Sequence, residues 1–355
     1  MALWASILPA AATGMLAATL LWPLGAALAL GSAAALVAAV VAAVHHAEVV
    51  AHRVGEPFGT LVLAVAITVI EVALIISMML AGGPDKDQLA RDTIYSALMI
   101  ICTGVVGICI LVGGLRHHEQ SFRMEGANSA LAALVALAGL VLVLPTFTTS
   151  SPVGTYTGSQ LAFAAVTSLA LWASFVFVQT IRHRDYFLPE RGAGNEDAHA
   201  APPSATMAWV SFGLLLLCLV VVVGLAKQLS PVIERAIDSI GAPKSVLGIA
   251  IALLVLLPET WAALRAARAN RLQTSMNLAL GSALASIGLT VPAVVVTAAL
   301  LDLPLVLGLQ AKELVLLSMT LLVCAITLGS GRTNVMQGAV HMVLFAAFLF
   351  LSLVP

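Results

Sequence analysis

Apolar residues run through this chain in long blocks, each interrupted by a short polar or Gly/Pro stretch. A helix rises about 1.5 Å per residue, so about 20 apolar residues carry it across the hydrocarbon core of a bilayer. Blocks of that size fall at 3–22, 25–44, 57–81, 93–115, 126–146, 158–181, 207–229, 244–266, 273–299, 311–329 and 335–353. Breakers separate them: Pro23, the Gly55-Glu56-Pro57 turn, Gly82-Gly83-Pro84, Pro145, Pro152, Pro231, Pro243 and Pro304. The pattern predicts an all-α polytopic membrane protein of about 11 transmembrane helices. No Lys or Arg precedes Arg53, so the first block lacks the basic flank of a leader and reads as a span.

Composition agrees with that reading. Only 9% of the 355 residues are charged and 61% are hydrophobic, whereas a soluble domain carries about 25% charged residues. A net charge of −1 supplies no basic field for nucleic acid. Abundant alanine, with only 4 lysines among the 16 basic residues, points to a GC-rich bacterial genome. Cys102, Cys109, Cys218 and Cys324 lie inside apolar runs without metal-ligand spacing, so they read as small core residues.

Lys and Arg placement sets the orientation. If the spans alternate, the side that holds the N-terminus receives 10 basic residues and the opposite side 6. The N-terminus is therefore expected in the cytoplasm and the C-terminus in the periplasm. The longest hydrophilic stretch, 182–206, includes Asn195, Glu196, Asp197 and His199 and reads as a mobile cytoplasmic linker. It divides the chain into an extra N-terminal span (1–22), a first five-span repeat (23–181) and a second five-span repeat (207–355). Glu48 precedes Gly55 by seven residues, and Glu234 precedes Gly241 by seven; an apolar helix bearing Glu71 or Glu259 follows each glycine. Five is odd, so consecutive copies insert upside down relative to each other, and inverted repeats place binding sites near the midplane.

Two carboxylates carry the expected chemistry. Glu71 and Glu259 each lie deep in an apolar span with no basic residue near that depth. A charge at the bilayer centre costs about 2.5–3.5 kcal/mol even on mild insertion scales, an outlay that makes sense for binding a cation or protons. The bland alternative is a protonated, hydrogen-bonded packing residue. Pro258 removes a backbone donor just before Glu259 and frees a carbonyl one turn earlier, a hard oxygen suited to Na⁺ or Ca²⁺. A kink that serves packing alone is the competing reading.

Ser282 and Ser286, four residues apart, share a helix face among small residues, where they serve either close packing or cation ligation. Thr68, one turn before Glu71, and Thr103 stand in the same position. Glu48, Glu234 and His46 (beside His45) are candidate entry or gating groups, with solvated ends and bystander histidines as the alternative. Arg265, Arg268 and Arg271 read as snorkelling anchors. His341, buried and polar in the last span, finds no role from sequence.

The stretches Ala47–Ile76, Ser245–Val294 and Gly331–Gly338 resemble the bacterial ChaA-type calcium/proton antiporters of the calcium–cation exchanger superfamily, whose other branch includes vacuolar-type cation/proton exchangers. The resemblance implies that Glu71 and Glu259 stand at the glutamate of the superfamily's Gly-Asn-x-x-Glu signature, the main cation and proton ligand. This chain departs from the signature, with Ile67-Thr68 and Val255-Leu256 where Gly-Asn is usual. Ser282 and Ser286 resemble the Gly-Ser-x-x-Ser element of the second repeat, and the first offers Thr103-Gly104.

The implied function is antiport of a cation for protons by alternating access in the bacterial inner (plasma) membrane. Ca²⁺ is the leading substrate, with Na⁺ or K⁺ as alternatives, since ChaA-type members are also associated with Na⁺/H⁺ and K⁺/H⁺ exchange. No resident cofactor is expected. The expected partners are membrane lipids, the transported cation and protons, with no nucleic acid; a homo-oligomer is left open. An intramembrane enzyme with a carboxylate pair, or a cation channel, stays as an alternative. The chain shows no Asp-rich or metal-cluster motif beside either glutamate.

Overall fold

A computed structural model describes residues 3–55, 58–80, 86–188, 203–239 and 241–354, with side chains from 62 onward in the second segment. Among the described residues, 11 helices are long and apolar enough to cross a membrane. They are α1 (Leu3–Leu21), α2 (Ala26–Val54), α3 (Phe58–Leu80), α4 (Lys86–His117), α5 (Met124–Phe147), α6 (Gly158–Arg182), α7 (Ala205–Ser239), α8 (Ser245–Arg268), α9 (Leu272–Leu301), α10 (Ala311–Leu328) and α11 (Val335–Leu353). Their outward faces carry bulky apolar side chains such as Phe163, Val166, Trp209, Val220, Leu300 and Phe350, as a lipid-facing surface requires.

Several helices outrun the apolar blocks. The second reaches Val54 rather than residue 44, the fourth starts near 86 rather than 93, and the seventh continues to Ser239 rather than 229. Ala, Glu, Arg and Lys favour helix whether or not lipid surrounds them, so the backbone continues where hydropathy stops. Pro231, expected as a breaker, lies inside α7; a proline deletes one hydrogen bond without ending the helix when the remaining turns hold. Of the hydrophilic stretch 182–206, residues 189–202 lie outside the described residues, as do Glu56-Pro57 and Gly82-Gly83-Pro84.

The chain forms two compact units, Met1–Lys86 with Asp197–Val255, and Asp87–Glu196 with Leu256–Pro355. The division passes through α8, between Val255 and Leu256.

In the first unit α2 packs against α1, α3 and α7, and α3 also packs on α7. His46 Nε2 lies 2.8 Å from the Ala5 carbonyl and fastens α1 to α2. Arg53 donates to the Pro203 carbonyl at one end (3.3 Å). Lys86 pairs with Glu234 at the other, its ammonium also 3.2 Å from Ser230 Oγ. Gly55 and Gly241, the matched glycines that follow α2 and α7, both adopt positive φ (77° and 64°), which L-residues other than glycine rarely occupy.

In the second unit the helix connectors interlock at both ends. At one end Glu119–Ser121 (β1), between α4 and α5, pairs antiparallel with Arg332–Asn334 (β2), between α10 and α11; Gln120 faces Thr333. At the other end the α5–α6 connector meets the α9–α10 connector: Leu307 N and Gly308 N both donate to the Gly154 carbonyl at 2.9 Å, and Leu309 N donates to Leu142 at 3.0 Å. The connector after the third helix of one five-helix set thus always pairs with the connector after the fourth helix of the other set. Two sets of opposite direction produce that exchange. The strand pair is a small departure from the all-α expectation.

Candidate functional site

In the first unit, Ile67, Thr68, Ile70, Glu71, Leu74, Ile75 and Met78 form the buried face of α3, while Val65 and Val69 face outward. Glu71 is only 4% exposed. Thr68, one turn earlier on the same face, donates its hydroxyl proton to the Ala64 carbonyl (2.9 Å), which uses its one donor and leaves its oxygen an acceptor. Two turns beyond Glu71, Ser77 donates to the Val223 carbonyl (3.1 Å) and locks α3 to α7. The other expected residues of this unit are spread out. Glu48 lies exposed on α2, His46 serves the α1–α2 contact, and Glu234 accepts from Lys86 and Ser230.

In the second unit, Glu259 is half-buried on α8, directly after Pro258, which lies inside a continuous helix. Proline has no N–H for the Leu254 carbonyl, so the turn before Glu259 lacks one internal bond. Thr260 donates back to the Leu256 carbonyl (2.7 Å). The rest of this helix is held firmly. Ser275 of α9 donates to the Ala263 carbonyl (2.7 Å), and Gln120 of β1 donates to Ala267 (3.1 Å) and to Asn270 Oδ1 (2.9 Å). Ala267 is one of the last four residues of the helix, whose carbonyls have no donor four residues on within it.

Helix α9 carries Ser282 and Ser286 and packs against α4 at the segment Ile100–Val105, which is wound as a π-helix. Thr103 lies in that segment, fully buried, with its hydroxyl donating to the Met99 carbonyl. Ser286 is 4% exposed and Ser282 half-buried. The second unit therefore packs the segment that holds Thr103 against the helix that carries both serines.

Three features escaped the sequence reading. Thr290 continues the Ser282–Ser286 spacing by four more residues, and its Oγ1 is buried with no hydrogen-bond partner; the i, i+4, i+8 pattern was the available signal. Arg91 and Asp92, which precede the apolar block 93–115, are buried (4% and 8% exposed). Arg91 Nε donates to Asp92 (2.8 Å), and the same guanidinium holds the Gly308 carbonyl (3.2 Å) and Gln88 Oε1 (2.9 Å). His341, fully buried, lies 2.8 Å through Nδ1 from the Cys102 carbonyl and 3.1 Å through Nε2 from Thr327 Oγ1. Among the described residues no three His, Cys, Asp or Glu side chains gather to hold a metal. Each unit instead offers a glutamate on a membrane-length helix, Glu71 with Thr68 one turn before it and Glu259 with Thr260 beside it.

The family described as sodium/calcium exchanger protein matches residues 24–181 and 210–354, most of the chain. The chain belongs to that family. The putative ionic transporter y4hA of Sinorhizobium fredii (strain NBRC 101917 / NGR234) is 46% identical over 99% of this chain and 96% of the relative. The sodium-potassium/proton antiporter ChaA of Escherichia coli (strain K12) is 38% identical over 86% of this chain and 83% of its own length. Among solved structures, the selenium-substituted Ca²⁺/H⁺ antiporter protein YfkE has the same fold, with a TM-score of 0.74 over 99% of both chains at 16% identity. The match to the family begins after α1 and leaves out residues 182–209.

Proposed function

We propose that this exchanger-family protein is a secondary antiporter that moves a hard cation against protons by alternating access, in the plasma membrane of a bacterium. The observation that carries the reading is Glu71: a carboxylate 4% exposed on the inward face of an apolar span, with a hydroxyl one turn away. Glu259 occupies the matching place in the second repeat, after a proline that leaves a carbonyl without its helical donor. The ChaA relative at 38% identity is named for sodium-potassium/proton exchange, and YfkE for Ca²⁺/H⁺ exchange; both names support proton-coupled cation transport.

The cycle follows from charge. Deprotonated Glu71 and Glu259 attract the cation, and Thr68, Thr103, Ser282 and Ser286 supply neutral oxygens. Protonation removes the negative charge and releases the ion, so the two cargoes exclude each other at the same acids. Two protons exchanged for one divalent ion would be electroneutral. The inverted five-span copies, 23–181 and 207–355, supply two equivalent half-sites, and exchange between outward and inward states follows from repacking of one against the other. Ca²⁺ is the leading cargo, with Na⁺ and K⁺ beside it. The N-terminus is assigned to the cytoplasm and the C-terminus to the periplasm.

Purified protein in liposomes, given a pH gradient and offered Ca²⁺, Na⁺, K⁺ and Mg²⁺ in turn, tests the reading. Uptake of at least one cation that collapses with the gradient is the expected result. Cation flux that continues without proton movement would indicate a channel, and no flux of any cation would remove the transport reading.

A further inference from the structure

His341 is a fully buried polar group that the transport cycle does not use. It sits on α11 against the π-wound stretch of α4, within the second unit. In an α-helix the Val106 N–H would donate to the Cys102 carbonyl, four residues back. Here Val106 N–H turns to the Ile101 and Thr103 carbonyls instead. Cys102 O has lost its α-helical donor, and the His341 ring takes that place at 2.8 Å. Cys324 Sγ adds a weak contact at 3.6 Å. Gly107 makes the approach feasible, because a Cβ there would stand 2.8 Å from His341 Cβ.

We propose that His341 is a positioning residue: its Nδ1–H holds the Cys102 carbonyl and thereby fixes the π-wound turn that presents Thr103 to the cation. The Cys102 carbonyl and the Thr103 N–H belong to one planar peptide group. Anchoring the first orients the second, and with it the Thr103 Cα and hydroxyl. A carbonyl only accepts, so Nδ1 carries the proton; in the neutral ring Nε2 then accepts from the Thr327 hydroxyl at 3.1 Å. π-Segments are short, costly to hold and concentrated at functional sites, and outer groups that orient ion ligands typically change ion affinity about 10–100-fold when removed. The inference rests on the antiport reading, with Thr103 among the cation ligands.

Two substitutions separate the atoms of the ring. An Asn amide nitrogen reaches the place of Nδ1, whereas a Gln amide reaches that of Nε2. In gradient-driven uptake by the full-length protein, His341→Asn should keep the apparent KM within about threefold. His341→Gln and His341→Leu should raise it about tenfold or more, with the maximal rate changed much less. In a Thr103→Ala background, His341→Leu should add little, since both changes act through one ligand. Equal effects of Asn and Gln, or a full additional KM increase in the Thr103→Ala background, would overturn the proposal. Thermal unfolding of each variant in detergent identifies one that has lost its fold, and ¹⁵N spectra of histidine-labelled wild-type protein read the ring without any transport. A neutral Nδ1–H resonance that disappears in His341→Asn is expected, and an Nε2–H ring would contradict the proposal. Wild-type protein that carries no cation would overturn the antiport reading and the role of His341 in it, while the spectrum would still report which nitrogen is protonated.

Discussion

Gly308 N donates to the Gly154 carbonyl at 2.9 Å, and the two glycines cross so closely that a Cβ on Gly308 would lie 2.6 Å from Gly154 Cα. This crossing closes one end of the second unit as the β1–β2 pair closes the other. Both join a connector of one five-helix set to a connector of the opposite set, so the pairing is a fingerprint of the inverted arrangement.

Gly308→Ala should therefore destabilise the protein, because the added methyl meets backbone and the Thr146 hydroxyl, neither of which can yield easily. Overpacking of this kind costs about 1–3 kcal/mol. Gly154→Ala should cost about 1–2 kcal/mol for a different reason, the positive φ of 83°. Thermal unfolding in detergent checks both, with Gly158→Ala as the control, since a Cβ there meets nothing within 4 Å.

Arg91 offers a second test on stability. Its guanidinium neutralises Asp92 and binds the Gly308 carbonyl in a buried setting. Arg91→Met leaves a buried carboxylate beside a lost cation, and breaking a buried pair from one side costs about 3–5 kcal/mol. The double substitution Arg91→Met/Asp92→Asn should recover a large part of that loss. Equal stability of the single and double variants would mean that the pair is not electrostatically coupled.

The spans were legible in the sequence because membrane helices need a length of apolar residues that nothing else in a chain supplies. The two glutamates stood out as candidates for the complementary reason, since a carboxylate in oil has no cheap explanation. Helix ends were less legible: the segment after Val44 has the polarity of an interface and the propensity of a helix, and propensity decided the backbone. The β1–β2 pair was hidden because three-residue strands are too short to show an alternating pattern. His341 and Thr290 stayed unassigned because their meaning depends on partners, or the lack of them, across other helices. The π-wound turn at Cys102 leaves no local signature at all. Arg91 looked like an ordinary end-of-span charge, and only the neighbouring Gly308 connector, more than 200 residues later in the chain, explains its burial.

The hydroxyls should tune affinity rather than decide function. Thr68→Val and Ser286→Ala each remove one neutral oxygen, an effect of about 0.5–1.5 kcal/mol, equivalent to about a two- to twelvefold rise in apparent KM. Maximal transport should stay near wild type. Concentration-dependent uptake in liposomes measures this, and unchanged KM in both variants would assign these residues to packing.

Orientation is tested by reporters at the C-terminus. The balance of ten basic residues against six predicts that end in the periplasm. An alkaline phosphatase fusion after Pro355 should be active and a green fluorescent protein fusion there should be dark. The reverse pattern would invert the topology without touching the two-repeat fold.

Gradient-driven cation uptake by Glu71→Gln and Glu259→Gln proteins, reconstituted at equal density and checked for intact folding, bears most directly on the exchange of a cation and protons at shared acids. Each substitution keeps the shape of the side chain and removes its charge and its titration, so each alone should abolish exchange of every cation that the wild-type protein carries. Near-normal exchange by either variant would contradict the account.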